Sequence, residues 1–250
     1  MKFSVLLAAM LACGSCAYGQ DEDTVNPDRP SFSSSTHIVP VGHAQLEGGA
    51  SRWRYGNSTG YDVGELLLRV GLSQRVELRA GIPSYLVYRN RLGRISGADD
   101  ARIEGKFRLR SGDRASFGAL ASATLPSGSR TVAEHTFQPG TAFISDVTLS
   151  KTVNVTSNVG YVRATDNGTR FNYVFAVSTI NVSLQSGMNV FTEFYVYHQH
   201  GGPDQKYAAS GVEWTVGKHT SFDINGGIGL PHNGAHGPDH YLGFGISRLF

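Results

Sequence analysis

Apolar and polar residues alternate at every second position through almost the whole chain after residue 40, and helical periodicity is nearly absent. The clearest example is Val76–Ile82. Another is Arg102–Arg110, which places five charged residues on one face and four apolar or small residues on the other. Because successive side chains of a β-strand point to opposite sides of the sheet, this pattern predicts an all-β protein whose strands have one polar and one apolar face.

The connections between the predicted strands alternate in length. Those after odd-numbered strands include long or turn-rich segments, such as 84–100 and 126–141, whereas most of those after even-numbered strands are tight, such as Ser73-Gln74. The twelve predicted strands lie near residues 42–54, 61–72, 75–83, 101–110, 115–125, 142–151, 158–165, 170–182, 188–198, 206–215, 220–230 and 239–250. Outer-membrane barrels have short periplasmic turns and longer extracellular loops. We therefore predict a transmembrane antiparallel up-and-down β-barrel of about 12 strands with periplasmic termini.

Composition excludes several other classes of protein. Only 17% of the 250 residues are charged and the formal net charge is +2, so no nucleic-acid partner is expected. After residue 20 no apolar run approaches the about 18 residues that a membrane-spanning helix needs. A soluble β-sandwich also alternates, but it has no reason to alternate the lengths of its connections.

Residues 1–19 have the organisation of a secretory signal peptide. Lys2 supplies the charged start, residues 3–11 form a short apolar core, and Ala17-Tyr18-Gly19 fits a cleavage site. Lipidation of Cys13 is an alternative, since the three preceding residues resemble a lipobox. Cys13 and Cys16 are the two cysteines of the chain, so the mature protein lacks thiols, which excludes disulfide scaffolds and thiol catalysis.

Residues 20–37 form a periplasmic N-terminal segment before a barrel at 38–250. This segment has two prolines, an Asp28-Arg29 pair and a run of serines, so it cannot pair as a central strand. We predict that it is either a plug that folds back into the lumen or a disordered tether.

Charged residues on the strands are expected to face the lumen, because a charge facing lipid costs about 2–4 kcal/mol near the bilayer midplane. Basic residues concentrate on the second to fourth strands and acidic residues on later strands, which predicts a basic wall opposite an acidic wall. Seven basic residues against Glu65, Glu77 and Glu104 leave the basic wall with four excess positive charges. These groups either fill a closed barrel as ion pairs or line a channel and set its selectivity. The candidate lumen residues are Arg69, Arg75, Arg79, Arg102, Glu104, Lys106, Arg108, Arg110, Asp146, Glu193, Glu213 and Asp223.

Six of the nine histidines lie in or beside predicted extracellular loops. The weak candidates for metal ligands are His198, His200, His232 and His236. Their spacing matches no dedicated zinc motif, so solvated loops without a metal or other cofactor are favoured. An outer-membrane hydrolase would need Ser and His together on an outward face, and no histidine is predicted to lie mid-strand. We therefore expect that the protein is not an enzyme.

The chain ends on an alternating segment with Gly245 and a terminal Phe250. It resembles the signal that outer-membrane barrels present to their assembly machinery, although Arg248 departs from that pattern. The expected partners are therefore outer-membrane lipids, the barrel assembly machinery and a small-molecule solute.

A more specific resemblance begins with VNPDRPSFSSS at residues 25–35 and VPVGHAQLEGG at 39–49. It continues through VELRAGIP at 76–83, ATLPSG at 123–128 and GGIGL at 226–230. In this order the segments resemble the putative MetA-pathway of phenol degradation family of outer-membrane proteins. The resemblance implies an outer-membrane barrel that takes up hydrophobic or aromatic compounds. We predict a channel or transporter for small solutes, with a closed structural or ligand-binding barrel as the alternative and a hydrolase as a third hypothesis.

Overall fold

A computed structural model describes residues 23–166, 168–184, 187–230 and 237–250. The predicted signal peptide, including Cys13, lies outside these residues. Within them the chain forms fourteen β-strands, and no helix is long enough and apolar enough to cross a membrane. The strands are β1 (Ala44–Tyr55), β2 (Ser58–Ser73), β3 (Val76–Ile82), β4 (Tyr85–Asn90), β5 (Gly93–Ala98), β6 (Ala101–Arg110), β7 (Ala115–Leu125), β8 (Gln138–Thr148), β9 (Val153–Asp166), β10 (Thr169–Ser183), β11 (Met188–Gln199), β12 (Gln205–Val216), β13 (Thr220–Gly229) and β14 (His240–Leu249).

The fourteen strands occupy twelve positions in one closed antiparallel sheet. β2 pairs with β3 near one end and with β4 near the other, so β3 and β4 form one wall strand interrupted at Pro83-Ser84. β6 and β5 continue one another in the same way, because β6 pairs with β3 and β5 with β4. β1 pairs with both β2 and β14 and closes the sheet. The predicted all-β barrel of twelve strands is confirmed.

The prediction of a long loop at 84–100 is wrong. Most of this segment is the β4–β5 hairpin, which turns at residues 91–92 and extends the wall. The Asn90 side-chain oxygen accepts hydrogen bonds from the backbone N–H groups of Leu92 and Gly93 and fixes the turn. The alternation of apolar residues at the start of Tyr85–Asn90 is short and is followed by several arginines, so the sequence resembles a polar loop. The predicted loop 126–141 is also shorter, because β8 begins at Gln138.

The two ends of the barrel differ in their connections. At one end, here called the turn end, β1 begins, β14 ends, and the turns 74–75, 111–114, 149–152 and 217–219 are short. At the other, the loop end, the connections 126–137 and 230–239 are longer. The chain therefore enters the sheet and leaves it at the turn end.

The wall has polar residues inside and apolar residues outside. On β14, Leu242 and Phe244 point outward and are 61% and 64% exposed, whereas Ser247 points inward and is buried. Arg69 and Lys106, on β2 and β6, are fully buried although they are charged. An apolar outer face around a polar interior is the arrangement of barrels that span membranes.

Candidate functional site

Residues Asp23–His43, here called the luminal segment, lie inside the barrel. The segment enters at the turn end, where the Val25 N–H donates to the Lys218 carbonyl (2.7 Å). It returns to the same end, where Val41 forms an isolated bridge with Gly71. Three prolines in the segment interrupt regular strand pairing, so its polar groups bond to side chains of the wall instead.

Asp28 lies against the basic side of the lumen. Its carboxylate is 3.0 Å from the Lys106 Nζ and 3.1 Å from the Arg79 Nη2. Burial alone would raise the pKa of Asp28, but the positive charges of Arg69, Lys106 and Arg79 outweigh it and hold this pKa well below its usual range. Asp28 is therefore a buried, ionised anchor of the luminal segment.

The basic side of the lumen carries more counter-charge than the sequence suggested. Arg69 lies between Glu47 on β1 (2.6 Å) and Glu77 on β3 (2.8 Å). Arg79 approaches Glu104 at 3.0 Å. With Asp28 and Glu47 included, three buried cations meet four buried carboxylates, so the predicted excess of positive charge is not present in this network.

Arg29 extends to carboxylates on two wall strands, β2 and β13. Its guanidinium pairs with Asp223 on β13 (3.4 Å) and with Glu65 on β2 (2.5 Å). Burial would lower the pKa of Arg29, but these two carboxylates outweigh it and raise it. Inward-facing glycines leave room for this side chain, since a Cβ on Gly49 or Gly245 would come within 2.4 Å of the guanidinium.

The middle of the luminal segment is held by Glu193 on β11. Its carboxylate accepts hydrogen bonds from the Ser31 hydroxyl (2.8 Å) and the Phe32 N–H (3.0 Å). The Phe32 ring packs against Tyr195 with ring centroids 4.4 Å apart, and it also contacts Trp53 and Tyr241 edge-on. The middle of the luminal segment thus packs into an aromatic cluster through Phe32.

The returning half of the segment bonds to the opposite strands. The Thr36 N–H and hydroxyl donate to Asp146 on β8 (2.6 and 2.7 Å), and the Arg108 Nε donates to the Thr36 carbonyl (3.1 Å). Asn158 on β9 exchanges two hydrogen bonds with the Ser34 backbone. The Val39 N–H donates to Glu77 on β3 (2.8 Å). The returning half thus bonds to β3 as well as to β6, β8 and β9.

His37 lies on this returning half beside the basic network. Its carbonyl accepts a hydrogen bond from the Lys106 Nζ (3.0 Å), and its buried Nδ1 has no hydrogen-bond partner among the described residues. Burial and the charges of Arg69, Lys106 and Arg108 lower the pKa of His37 to about 3, against a smaller opposing effect of Glu77. The imidazole is therefore neutral in the docked segment.

The remaining candidate lumen residues fall into two groups. Arg102 faces the lumen half-exposed and pairs with Glu104 (2.9 Å), whereas Arg75 and Arg110 are exposed at the turn end, outside the buried network. Glu213 accepts a hydrogen bond from Ser221 (2.7 Å) and borders a polar cavity of about 410 Å³. This cavity lies between the luminal segment and the β6–β12 wall and is lined mostly by Ser, Thr and Asn side chains.

The candidate metal-ligating histidines are not brought together at one site in the described part of the chain. The His198 Nδ1 is 2.7 Å from Asp204, and this hydrogen bond lowers the pKa of the exposed Asp204 carboxyl. His200 is exposed nearby, while His232 and His236 lie outside the described residues. In the part of the chain that the structure describes, no three His, Cys, Asp or Glu side chains are grouped to hold a metal ion.

Residues 27–248 match the model of the family described as Putative MetA-pathway of phenol degradation. The chain belongs to this family. The match includes most of the luminal segment, all of β1 to β13, and β14 up to Arg248. No curated protein matches the chain.

Solved structures similar to this phenol-degradation family member are outer-membrane proteins. The COG4313 outer membrane channel from Pseudomonas putida F1 aligns with 15% identity and a TM-score of 0.65 over 90% of this chain and 100% of that chain. The NanC porin aligns with 10% identity and a TM-score of 0.57 over 82% and 98%. The KdgM porin in complex with disordered oligogalacturonate aligns with 8% identity and a TM-score of 0.57 over 83% and 99%. These similarities establish the fold that the family member shares with channels and porins.

Sequence reasoning missed several residues that hold the luminal segment in this family member. Gln45 and Glu47 on β1 both contact it, and alternation with Leu46 and Gly48 was the signal that could have identified them as inward-facing. Asn158 and Thr179 carried no charge and so did not stand out in the sequence. The uncharged amides and hydroxyls of Gln45, Asn158 and Thr179 thus add to the contacts that the charged wall residues make, which are the more numerous.

Proposed function

We propose that this protein is an outer-membrane channel for small solutes and that the luminal segment is its plug, inserted from the periplasmic side. The observation that carries the proposal is that the segment crosses a polar lumen and is held there by hydrogen bonds and ion pairs to wall side chains. Such contacts can be exchanged for hydrogen bonds to water when the segment leaves the lumen.

The wall supports this proposal because its strands close the sheet by pairing with one another, without the luminal segment. Each of the twelve wall positions pairs with the next through the backbone, including the seam between β1 and β14, while β5 at the loop end pairs with β4. Twelve-stranded barrels lie between those filled by side chains and those that leave an aqueous channel. Withdrawal of the segment would therefore leave a complete barrel with a polar passage.

The lengths of the connections indicate how the barrel is oriented in the membrane. Outer-membrane barrels have short turns in the periplasm, so the turn end, where the luminal segment enters, faces the periplasm in this proposal. The loop end, with 126–137 and 230–239, then faces outside.

The inner surface also supports a solute class. Trp53, Tyr195 and Tyr241 surround the Phe32 ring, and aromatic faces favour flat, apolar rings as partners. Arg102 and Arg108 lie on β6 along the same lumen. We propose hydrophobic or aromatic solutes, with the basic side favouring those that carry a carboxylate.

The test is conductance in planar bilayers of the mature chain and of a chain that lacks residues 20–37. We expect small or intermittent currents from the full chain and larger, steady currents from the deletion. Slower migration after boiling than before would show that both chains fold as barrels. No current from either chain, with both folded, would favour the closed structural or ligand-binding barrel.

Selectivity provides a second measurement in the open form. Replacing Arg102→Glu and Arg108→Glu should move the reversal potential across a salt gradient toward cations. The matched control is Arg114→Glu with Lys151→Glu, which changes the same charge at exposed positions of the turn end. Equal selectivity in all three chains would contradict a role of the basic side in choosing solutes.

A further inference from the structure

A row of three arginines, a histidine and a threonine crosses the outer surface at the loop end. The backbone register places five residues side by side on the adjacent strands β14, β1, β2, β4 and β5, in the order His240, Arg54, Thr59, Arg89 and Arg94. Neighbouring strands are about 4.8 Å apart, so the row spans about 20 Å. Four of its five positions are basic residues.

The row lies at the upper edge of the apolar outer face. Residues two positions farther from the loop end on the same strands share the outward orientation, because side chains alternate along a strand. Two such steps below the row, the same five strands present Phe244, Ala50, Val63, Tyr85 and Ala98. Phe244, Val63 and Tyr85 are exposed. The basic row therefore lies where the membrane-facing surface meets the outer boundary.

The row has no carboxylate partner among the residues that the structure describes. Arg89 and Arg94 face each other directly across β4 and β5, an arrangement of like charges that destabilises a sheet. Arg54 donates a hydrogen bond to Thr59 (3.0 Å) and to no acidic group. The nearest acidic residue in sequence to His240 is Asp239, whose carboxylate accepts the Gly56 N–H (2.6 Å). The positive charges of the row are therefore not compensated by a carboxylate within the described part of the chain.

We propose that this row binds the phosphate groups of a phosphorylated glycolipid of the outer leaflet, the lipid A type. Guanidinium groups donate two parallel hydrogen bonds to a phosphate, and several arginines at the height of lipid headgroups form a multivalent anionic-lipid site. The apolar surface below the row accommodates the acyl chains of the same lipid. The inference rests on the membrane placement in the proposed function and goes beyond it.

The experiment is a binding titration of the full mature protein in detergent, read by native mass spectrometry. The probes are bisphosphorylated lipid A, the same lipid without phosphates, and inorganic phosphate alone. We expect the bisphosphorylated lipid to bind at least about tenfold more tightly than the dephosphorylated lipid. We expect the Arg89→Gln with Arg94→Gln variant to lose at least about tenfold in affinity for the bisphosphorylated lipid. The matched control, Arg114→Gln with Lys151→Gln, removes two exposed charges at the turn end and should bind as the wild type does.

Equal binding of the two lipids by the wild type would overturn the proposal, as would equal affinity of the Arg89/Arg94 variant and the wild type. Inorganic phosphate that binds the row as tightly as the lipid would identify a free-anion site and would also overturn it. The two-lipid comparison uses only wild-type protein, so it decides the question even if a variant fails to assemble. Because no current is measured, a barrel that binds the lipid but does not conduct would contradict the channel and leave the lipid site standing.

Discussion

Asp28 and Arg29 are adjacent in the chain, yet their side chains bind different sets of wall strands. Asp28 pairs with Lys106 and Arg79, while Arg29 pairs with Asp223 and Glu65. The dipeptide thus joins cations on β3 and β6 and carboxylates on β2 and β13 to one point of the luminal segment. Docking of the luminal segment consequently depends on electrostatics, which mutation and pH can change.

Replacing Asp28→Asn should release the luminal segment more often. The change leaves Arg69, Arg79 and Lys106 with one carboxylate fewer, and removing one partner of a buried ion pair costs about 3–5 kcal/mol. We expect more open time in single-channel recordings and faster proteolysis within residues 23–43. Asp23→Asn is the control, because the Asp23 side chain is 61% exposed. Unchanged open time in Asp28→Asn would show that the ion pairs do not hold the segment.

Replacing Gly245→Ala should displace Arg29. A Cβ at this position would lie 2.4 Å from the Arg29 Nε and 2.5 Å from the Asp223 carboxylate, so the ion pair must move. We expect increased open time with a barrel that still shifts on heating. Gly105→Ala is the control, since its Cβ would meet only the Phe107 ring, at 3.2 Å. If the two variants behave alike, the glycine does not serve to admit the guanidinium.

Acid should favour release of the segment through His37. The docked segment holds the pKa of His37 at about 3, whereas a released histidine has a pKa of about 6.5, so protons bind preferentially to the released form below about pH 6.5. The docking equilibrium should fall about sixteenfold from pH 6.5 to pH 5, with the slope approaching about tenfold per pH unit toward the lower end of that range. Asp28, whose docked pKa is also lowered, adds to the effect in the same direction at lower pH.

The measurement is open time between pH 7 and pH 5 in the wild type and in His37→Gln. The variant should lose most of the pH dependence in this range. His43→Gln provides the control, because His43 lies at the end of the segment and is not part of the buried network. An equally steep pH dependence in His37→Gln would assign the effect to other groups.

Phe32→Ala should weaken docking without changing any charge. The ring contacts Tyr195, Trp53 and Tyr241, and its loss should cost about 1–2 kcal/mol because the side chain is only partly buried. We expect protease sensitivity of the luminal segment to rise about tenfold. Phe137→Ala, at an exposed phenylalanine of the loop end, should leave sensitivity unchanged. The same sensitivity in both variants would mean that the aromatic cluster does not hold the segment.

Deleting Phe250 should impair assembly of the barrel. The Phe250 N–H donates to the Ala44 carbonyl (2.8 Å) and the Ala44 N–H donates to the Phe250 carbonyl (3.3 Å), so this residue forms the last step of the seam between β14 and β1. We expect a several-fold lower yield of heat-shifting protein in outer membranes. Phe250→Tyr keeps the backbone and an aromatic ring and should assemble normally. A normal yield from the deletion would remove Phe250 from the assembly signal.

Much of the wall could be predicted from the sequence because a strand records its two faces in a period of two residues. Val76–Ile82 and Arg102–Arg110 were identified on this basis and lie in β3 and β6. The β4–β5 hairpin was missed because the arginines and glycines near its tip resemble a loop.

The docking site was less accessible to sequence reasoning. The inward direction of Lys106 and Glu193 follows from alternation, but their partners Asp28 and Ser31 lie 78 and 162 residues away along the chain. No local pattern encodes which residue of an irregular segment meets which strand. Prolines and serines in residues 20–37 predicted a segment that does not join the sheet, and only the closed barrel determined where its side chains bind.

The path of the luminal segment has a consequence for assembly. Its partners are distributed around the circumference, and a sheet that is still open holds them too far apart for one short peptide to reach. They include Glu47, Glu77, Lys106, Asp146, Asn158, Glu193 and Asp223. The free energy of docking becomes available only after β1 and β14 have joined in the correct register. The docked segment therefore also stabilises a correctly closed wall, and a barrel joined out of register would leave its luminal segment undocked and exposed to proteases.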